Sequence, residues 1–259
     1  MSIGDAEIKT QERVIRFFKD PEILGYQYIG NLSDYQNKNI KEDRLRQYLR
    51  LKGYADKLID AAVMQLQQEA GNLSRGVYDA NKTVYSRLKY GIPVSESPEK
   101  PPVTVELIDE ANPLNNDFAI AEEVTVVEQQ EKRPDLVIYL NGIAVAVIEL
   151  KRSSISVSEG IRQNLTNQKD SFIRGFFTTM QFCMAGNESE GLRYGTLLTG
   201  EKFYMEWKDD GFKEHEDERD PVDVRISETC AGIENKLLQQ IYAMFDKERF
   251  IDLIMNFVV

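Results

Sequence analysis

Three charged side chains, at the ends of two apolar segments, have the types and spacing that could bind a divalent cation. Asp135 immediately precedes the run Leu136–Leu140, Glu149 lies near the end of the run Ile143–Leu150, and Lys151 directly follows it. Charged groups beside buried apolar segments are costly unless they are paired or bound to metal. Two carboxylates about 4 Å apart repel by roughly 4 kcal/mol at an effective dielectric constant near 20. Mg²⁺ would reverse that sign, and it keeps waters that can serve as nucleophiles.

The two apolar runs are joined by Asn141-Gly142, the strongest short-range signal for a β-hairpin. Both runs are apolar on both faces, which predicts central strands covered by helices on each side. Glu149 and Lys151 are two residues apart and therefore share one face of their strand.

Whether Asp135 shares that face depends on the turn. A two-residue turn places Asp135 opposite Ile148, facing away from Glu149. A three-residue loop with Gly142 in a G1 bulge places Asp135 opposite Val147, on the face of Glu149. The sequence does not decide between them. A shared site requires the bulged loop or an equivalent bulge elsewhere in the hairpin.

The alternative is that Glu149-x-Lys151 is an exposed ion pair, the usual fate of this pattern. A solvated strand would alternate polar and apolar residues, and this alternation is absent. The residues alone leave the two interpretations in balance.

The rest of the sequence predicts an α/β fold with a central mixed β-sheet flanked by helices. A helix begins at Ser156, which has capping-box spacing to Glu159, and another begins near Cys230. Further helices are predicted at residues 11–19, 42–51, 54–69, 81–90, 234–245 and 247–259. Strands are predicted at residues 25–30, 103–108, 118–127, 136–140, 143–150, 180–184, 192–198 and 203–207, and a proline-rich loop at residues 92–102.

The charge balance argues against a surface that coats nucleic acid by itself. The 259 residues contain 32 Lys and Arg and 43 Asp and Glu, a net charge of −11. Residues 201–223 carry ten acids and four bases, which predicts a solvated acidic loop, whereas residues 149–174 are mildly basic. The single histidine, His215, lies in the acidic run, which excludes a catalytic triad in practice.

The sequence predicts a protein of the cytoplasm. Two cysteines cannot form a disulfide framework, and no secretory signal opens the chain. The apolar runs are too short for a membrane helix, so no membrane partner is expected.

The chain resembles the restriction (R) subunit of type I restriction-modification enzymes, a family of PD-(D/E)-x-K nucleases. The resemblance rests on the segment Arg133-Pro-Asp-Leu-Val-Ile-Tyr-Leu-Asn-Gly-Ile-Ala-Val-Ala-Val-Ile-Glu-Leu-Lys151. It continues through Gly160-Ile-Arg-Gln-Asn-Leu-Thr-Asn-Gln, Met184-Ala-Gly-Asn187, Gly191-Leu-Arg-Tyr-Gly-Thr and Phe203-Tyr-Met-Glu-Trp207. It recurs in the closing Phe250-Ile-Asp-Leu-Ile-Met-Asn-Phe-Val-Val.

The resemblance implies a restriction-endonuclease-like domain with additional helices that cleaves double-stranded DNA with Mg²⁺. Asp135 and Glu149 would be metal ligands, helped by the Leu150 carbonyl, and Lys151 would orient the attacking water. Glu12 resembles a further acid that some of these nucleases place near the metal; an exposed helix carboxylate is the alternative.

The family also carries a glutamine-x-x-x-tyrosine element on the next helix. Gln163 matches the glutamine, but Asn167 stands where the tyrosine is expected, and what replaces that tyrosine stays open. A shifted register, Gln168 with Phe172, restores an aromatic ring without a hydroxyl; we prefer Gln163. Candidate DNA contacts on this stretch are Arg152, Arg162, Gln163, Asn167 and Lys169.

The resemblance also implies an organisation for the whole subunit. We expect residues 1–259 to form one nuclease domain that leads to a motor absent from these residues; no P-loop occurs, so ATP binding belongs to the full-length subunit. The expected partners are DNA and the methyltransferase and specificity subunits. The alternatives are a non-catalytic docking module with the nuclease fold and another PD-(D/E)-x-K repair or resolvase enzyme. The expected parts are a helical insertion (34–92), a proline-rich loop (93–102), the catalytic core (103–207), an acidic loop (208–223) and C-terminal helices (229–259).

Overall fold

The predicted hairpin lies at the centre of a six-stranded mixed sheet. The computed structural model describes residues 3–95, 97, 99–208 and 220–258, and only the backbone of residues 3–6. The strands of the described residues are β1 (Gln27–Asn31), β2 (Ile92–Val94), β3 (Val103–Val105), β4 (Phe118–Glu122), β5 (Val126–Val127), β6 (Glu131–Lys132), β7 (Leu136–Leu140), β8 (Ile143–Leu150), β9 (Phe182–Asn187) and β10 (Gly191–Gly195). The sheet order is β1-β4-β7-β8-β9-β10, in which β1 pairs parallel to β4, β8 pairs parallel to β9, and the other neighbours are antiparallel.

Helices cover both faces of this sheet, as predicted. The helices are α1 (Ile3–Lys19), α2 (Glu42–Leu51), α3 (Asp56–Gly71), α4 (Val77–Tyr90), α5 (Val157–Asn167), α6 (Pro221–Ala231), α7 (Lys236–Phe245) and α8 (Lys247–Asp252). The largest apolar cluster joins one face to α1, α2, α3, α7 and α8. The opposite face, with Val137 of β7 and Val147 of β8, packs near α5 and the 3₁₀ turns at residues 174–179. Glu149, two residues after Val147, points towards this second face.

The hairpin turn is the two-residue form. Asn141 and Gly142 both have positive φ angles, +51° and +81°, as a type I′ turn requires. The Gly142 carbonyl accepts a 2.7 Å hydrogen bond from the Lys41 backbone N–H. A Cβ at Gly142 would lie 2.6 Å from the Lys41 carbonyl oxygen and 2.7 Å from the Leu45 nitrogen. The turn therefore packs so closely on the start of α2 that only glycine fits.

The two strands change register halfway along, because β8 contains one extra residue. Tyr139 pairs with Ala144, whereas Ile138 pairs with Ala146, which leaves Val145 as a β-bulge. Successive residues of a regular strand face opposite sides of the sheet. Val145 and Ala146 instead both belong to the core cluster on the α2 face, as the bulge requires.

The bulge brings the predicted acidic pair together. Beyond it, Leu136 pairs with Ile148, so Asp135 lies opposite Glu149. The two-residue turn alone would have directed Asp135 away from Glu149. Of the arrangements compatible with a shared site, the structure has the bulge elsewhere in the hairpin rather than the three-residue loop.

The predictions of local structure for residues 92–94 and 203–207 are wrong. Residues 92–94, predicted as part of a loop, form β2 and pair with β3 in a separate two-stranded sheet. Residues 203–207, predicted as a strand, begin in the 3₁₀ turn Glu201–Phe203, and only Met205 pairs with Tyr194. Phe203 and Met205 are exposed, so aromatic and apolar content here does not reflect a buried strand.

The first of the C-terminal helices, α6, begins earlier than predicted. Cys230, predicted to begin a helix, lies near the end of α6. That helix is capped by Asp220, whose carboxylate accepts a 2.8 Å hydrogen bond from the Val222 N–H, so residues 221–223 of the predicted acidic loop are helical. Residues 209–219 of that loop, with His215, lie outside the described residues. In the described ranges, no helix is both long and apolar enough to cross a lipid bilayer.

Candidate active site

Asp135 and Glu149 face each other at the end of the central hairpin. The Leu150 N–H donates a 2.7 Å hydrogen bond to Asp135 Oδ2, which holds that carboxylate against β8. The Asp135 carbonyl accepts a 2.8 Å hydrogen bond from the Glu123 N–H at the end of β4. Glu149 has no exposed surface, whereas Asp135 is partly exposed. Backbone contacts among β4, β7 and β8 thus hold the two carboxyl groups at the ends of these neighbouring strands.

This placement disfavours the charged form of both carboxyl groups. Burial raises the pKa of Asp135 to about 6, and Lys151 and the Leu150 N–H counter part of that rise. Burial raises the pKa of Glu149 well above its usual value, and the charge of Asp135 adds to the effect. The negative charge of Glu123 raises the pKa of both groups further. A cation between the two carboxylates would relieve this cost.

The residues present fit a divalent cation with few protein ligands. Glu149 Oε1 is buried and has no hydrogen-bond partner among the described residues, so one oxygen of this buried carboxylate is available to a cation. The Leu150 carbonyl is adjacent and accepts a hydrogen bond from Lys151 Nζ at 3.0 Å. In the described part of the chain, no group of three or more His, Cys, Asp or Glu side chains is arranged to hold a metal. Two carboxylates and a carbonyl match Mg²⁺, which usually keeps several of its waters.

Lys151 projects from the end of β8 beside this pair. Its side chain is 14% exposed, and Nζ lies 3.4 Å from Glu7 Oε1 of α1. The nearby positive charge favours ionised Asp135 and Glu149, against the effect of burial. Lys151 is therefore held at the mouth of the site, between the carboxylates and α1.

The acid that α1 places at the site is Glu7, and not the predicted Glu12. Glu12 is exposed. The two residues are five apart on a helix, which turns their side chains about 140° away from each other. The sequence did contain a signal, because Glu7, Gln11 and the buried Val14 follow one another at spacings of four and three residues, which places them on one face of a helix.

Of the two candidate glutamines on α5, Gln163 reaches the site. Gln163 Nε2 donates a 2.5 Å hydrogen bond to Glu149 Oε2. Gln168 is buried elsewhere: its amide nitrogen donates to Cys183 Sγ at 3.5 Å and its oxygen accepts from the Leu198 N–H at 2.7 Å. The contacts of Gln168 lie away from the carboxylate pair, so the geometry favours Gln163 over the shifted register.

The residues predicted to contact DNA differ in their exposure, in their existing partners and in whether they line the cleft. Arg162 is neutralised, with hydrogen bonds of 2.8 to 2.9 Å to Glu159 and Glu201. Asn167 is 2% exposed, although it lines the same cleft as Lys151 and Gln163. Lys169 is exposed and Arg152 is partly exposed. Neither Lys169 nor Arg152 belongs to the lining of that cleft.

Sequence reasoning did not find Glu123, a further acid beside the pair. Its φ angle of +51° is rare for a residue with a side chain and often marks a functional region. Its carboxylate accepts a 3.2 Å hydrogen bond from Gln11 Nε2 and lies 3.3 Å from Arg133 Nε. Nothing in the local sequence marks this residue, because its role depends on the backbone conformation at the end of β4.

Comparisons with known proteins give the family of this chain. A family model described as the type I restriction enzyme R protein N terminus matches residues 7–203. The chain is 33% identical over 97 residues to a protein of Methanocaldococcus jannaschii named as the MjaIXP endonuclease subunit of a type I restriction enzyme. It is 29% identical over 112 residues to the type I restriction enzyme SsaAORF53P endonuclease subunit of Staphylococcus saprophyticus. These alignments cover 34% and 41% of this chain but only 9% and 12% of the two relatives.

Proposed function

This chain belongs to the family of type I restriction enzyme R protein N termini, and from that premise we propose that it is a Mg²⁺-dependent endonuclease domain that cleaves double-stranded DNA. The observation that carries the proposal is the meeting of Asp135, Glu149 and Lys151 at one end of a buried hairpin. A non-catalytic module would have no evident use for a buried carboxyl group, Glu149, beside a second one, Asp135, whose charge raises the pKa of Glu149 further.

Asp135, Glu149 and the Leu150 carbonyl are the groups that would hold Mg²⁺. Glu149 and Leu150 are the last two residues of β8, and Asp135 directly precedes β7. When bound, the ion would neutralise charge on the phosphate and lower the pKa of a water that attacks phosphorus.

The chain's own side chains provide the positioning. Lys151 Nζ, held next to the Leu150 carbonyl, can orient a water and counter the charge that develops on the phosphate. Gln163 fixes one oxygen of Glu149 and so sets the direction of the other. Outer hydrogen bonds of this kind typically tune a metal site as much as tenfold to a hundredfold.

The proposal extends to the assembly in which the domain works. In type I restriction enzymes the R subunit would act with methyltransferase and specificity subunits, and sequence recognition would belong to those partners. ATP would be used by a motor region outside these residues. We place the protein in the cytoplasm, consistent with the two buried cysteines, Cys183 and Cys230, neither of which forms a disulfide.

The decisive experiment uses the complete restriction complex that contains this chain. Asp135→Ala and Lys151→Ala are each expected to abolish cleavage of duplex DNA and to leave ATP-driven translocation intact, because both residues lie at the site and neither belongs to a motor. Asp43→Asn, an exposed acid on α2, serves as the control. Cleavage at the unmodified rate by either site variant would refute the proposal and leave a docking module as the better explanation.

A further inference from the structure

A cleft of about 440 Å³ opens beside Lys151 and Gln163, and its walls are positively charged. Four cations and one carboxylate line it, a balance of +3 in a chain whose net charge is −11. A concave surface focuses this local charge, so an anion is attracted here although the whole molecule repels it. The charged residues of the lining are Lys132, Arg133, Lys151, Arg162 and Glu159.

Two of these cations, Arg162 of α5 and Lys151, already have carboxylate partners. Arg162 bonds to Glu159 and Glu201 through three guanidinium nitrogens. Lys151 contacts Glu7. Their charges are largely compensated before any ligand arrives.

The opposite wall offers cations that are less compensated. Lys132 is the last residue of β6, and its ammonium lies 4.9 Å from the ring centroid of Phe172. This cation–π contact restrains the side chain without neutralising its charge, as a carboxylate would. Within the described ranges, no carboxylate lies at ion-pair distance from Lys132. Arg133 has one weak partner, Glu123 at 3.3 Å, and its side chain is 53% exposed. Its terminal nitrogens can therefore engage a ligand.

We propose that Lys132 and Arg133 bind the DNA backbone phosphates next to the phosphate that is cleaved. This inference rests on the proposed nuclease function and names the surface that positions its substrate. Arg133 is two residues before Asp135, about 7 Å along an extended chain. Arginine and lysine are suited to phosphate oxygens, and such contacts fix the position of the duplex without selecting a sequence. The assignment replaces the predicted role of Arg162.

The test measures duplex binding by the chain at low salt, by fluorescence anisotropy with a labelled 20-base-pair DNA. Lys132→Ala/Arg133→Ala is expected to weaken binding several-fold and to reduce the slope of log affinity against log salt by about 2, one for each lost phosphate contact. Arg75→Ala/Lys82→Ala removes the same charge from two exposed positions of the α3–α4 groove, which shares no lining residue with the cleft. That control should keep the original slope.

A second measurement separates charge from structure. Cys183 and Cys230 are buried, so Arg133→Cys offers a thiol that reacts selectively in the folded chain. Binding should recover when this thiol is modified with an aminoethyl methanethiosulfonate and fall further with the sulfonatoethyl reagent.

The outcomes distinguish this inference from the function on which it depends. Equal loss in the two double variants, or equal binding after the two reagents, would overturn the assignment of Lys132 and Arg133 alone. No duplex binding by the unmodified chain at low salt would likewise overturn the assignment, whereas the nuclease proposal fails only if Asp135→Ala or Lys151→Ala leaves cleavage by the complete complex unchanged.

Discussion

Asp135 and Glu149 hold two carboxyl groups against each other at the edge of a buried sheet, and both have a raised pKa. Near neutral pH the metal-free site therefore carries an unfavourable charge, in part relieved by Lys151. We expect Asp135→Asn to raise the free energy of unfolding in EDTA by about 1–3 kcal/mol, because asparagine keeps the acceptor for the Leu150 N–H and removes one charge. Thermal denaturation in EDTA measures this change.

The same variant should lose the effect of metal. Millimolar Mg²⁺ is expected to raise the melting temperature of the unmodified chain and to have little effect on Asp135→Asn, since one of two carboxylate ligands is gone. Asp43→Asn should respond to Mg²⁺ as the unmodified chain does. An equal Mg²⁺ response in Asp135→Asn would show that the ion binds elsewhere.

Gln163 and Gln168 form a matched pair on one helix end, with opposite expected phenotypes. Gln163→Ala should lower cleavage by the complete complex about tenfold to a hundredfold, because it frees the Glu149 carboxylate to rotate. Gln168→Ala should instead lower the free energy of unfolding by about 1–3 kcal/mol, because it removes a buried side chain and its hydrogen bond with the Leu198 N–H. Cleavage assays and urea denaturation of both variants distinguish them, and the reverse pattern would favour the shifted register.

The types and spacing of Asp135, Glu149 and Lys151 pointed to a shared site if the hairpin contains a bulge, and the family resemblance pointed to Gln163; the structure brings these residues together. Sequence reasoning missed Glu7, since the first helix was predicted to begin at residue 11 and begins at Ile3. Glu123 could not have been found, because a positive φ angle is not encoded in any local pattern of charges or apolar residues.

The contact between the hairpin turn and α2 fixes how the sheet and the helical layer fit together. Gly142→Ala is expected to lower the free energy of unfolding by about 2–5 kcal/mol, because it combines an unfavourable φ angle with a clash against the backbone of Lys41 and Leu45. Gly53→Ala is the control: its φ angle of +85° is similar, but no atom lies within 4 Å of the added carbon. It should cost about 1–2 kcal/mol. Chemical denaturation measures both; equal losses would show that the α2 contact contributes nothing.

The bulge at Val145 shows why the sequence could not fix the register of the hairpin. All eight residues of β8 are buried, so no alternation of polar and apolar residues reveals where one extra residue enters. Asn141-Gly142 correctly predicted the hairpin, whereas the charges at its far end predicted a shared site only if a bulge was present. The feature that reconciles them is a backbone irregularity between Ile138 and Tyr139 of the partner strand.

The strand predicted at residues 203–207 failed for a different reason. Its aromatic residues favour β structure as single residues, yet Phe203 is 63% exposed and closes a 3₁₀ turn. Tyr204 and Trp207 instead contribute partly buried rings to two different apolar clusters. The β propensity of these aromatic residues was outweighed by the packing of the Tyr204 and Trp207 rings against the rest of the fold.

The charge of the whole chain opposes the function proposed for its cleft. A net charge of −11 repels DNA at long range, and the local excess of +3 acts over only about a Debye length, roughly 8 Å at physiological salt. Under the proposed function, affinity for DNA would therefore come mainly from other parts of the complete enzyme. Such an arrangement would keep the nuclease from cutting DNA that those parts have not already bound.

We accordingly expect the isolated chain to bind duplex DNA weakly and to cut it poorly. At physiological salt its dissociation constant should be no tighter than about 10⁻⁴ M, the weak end of the range for non-specific binding, and it should weaken steeply as salt rises. Titration of the chain into labelled duplex from 20 to about 200 mM salt tests this, with the complete complex as the reference. Tight binding by the chain that hardly depends on salt would contradict the argument, because a few phosphate contacts on an acidic molecule cannot produce it.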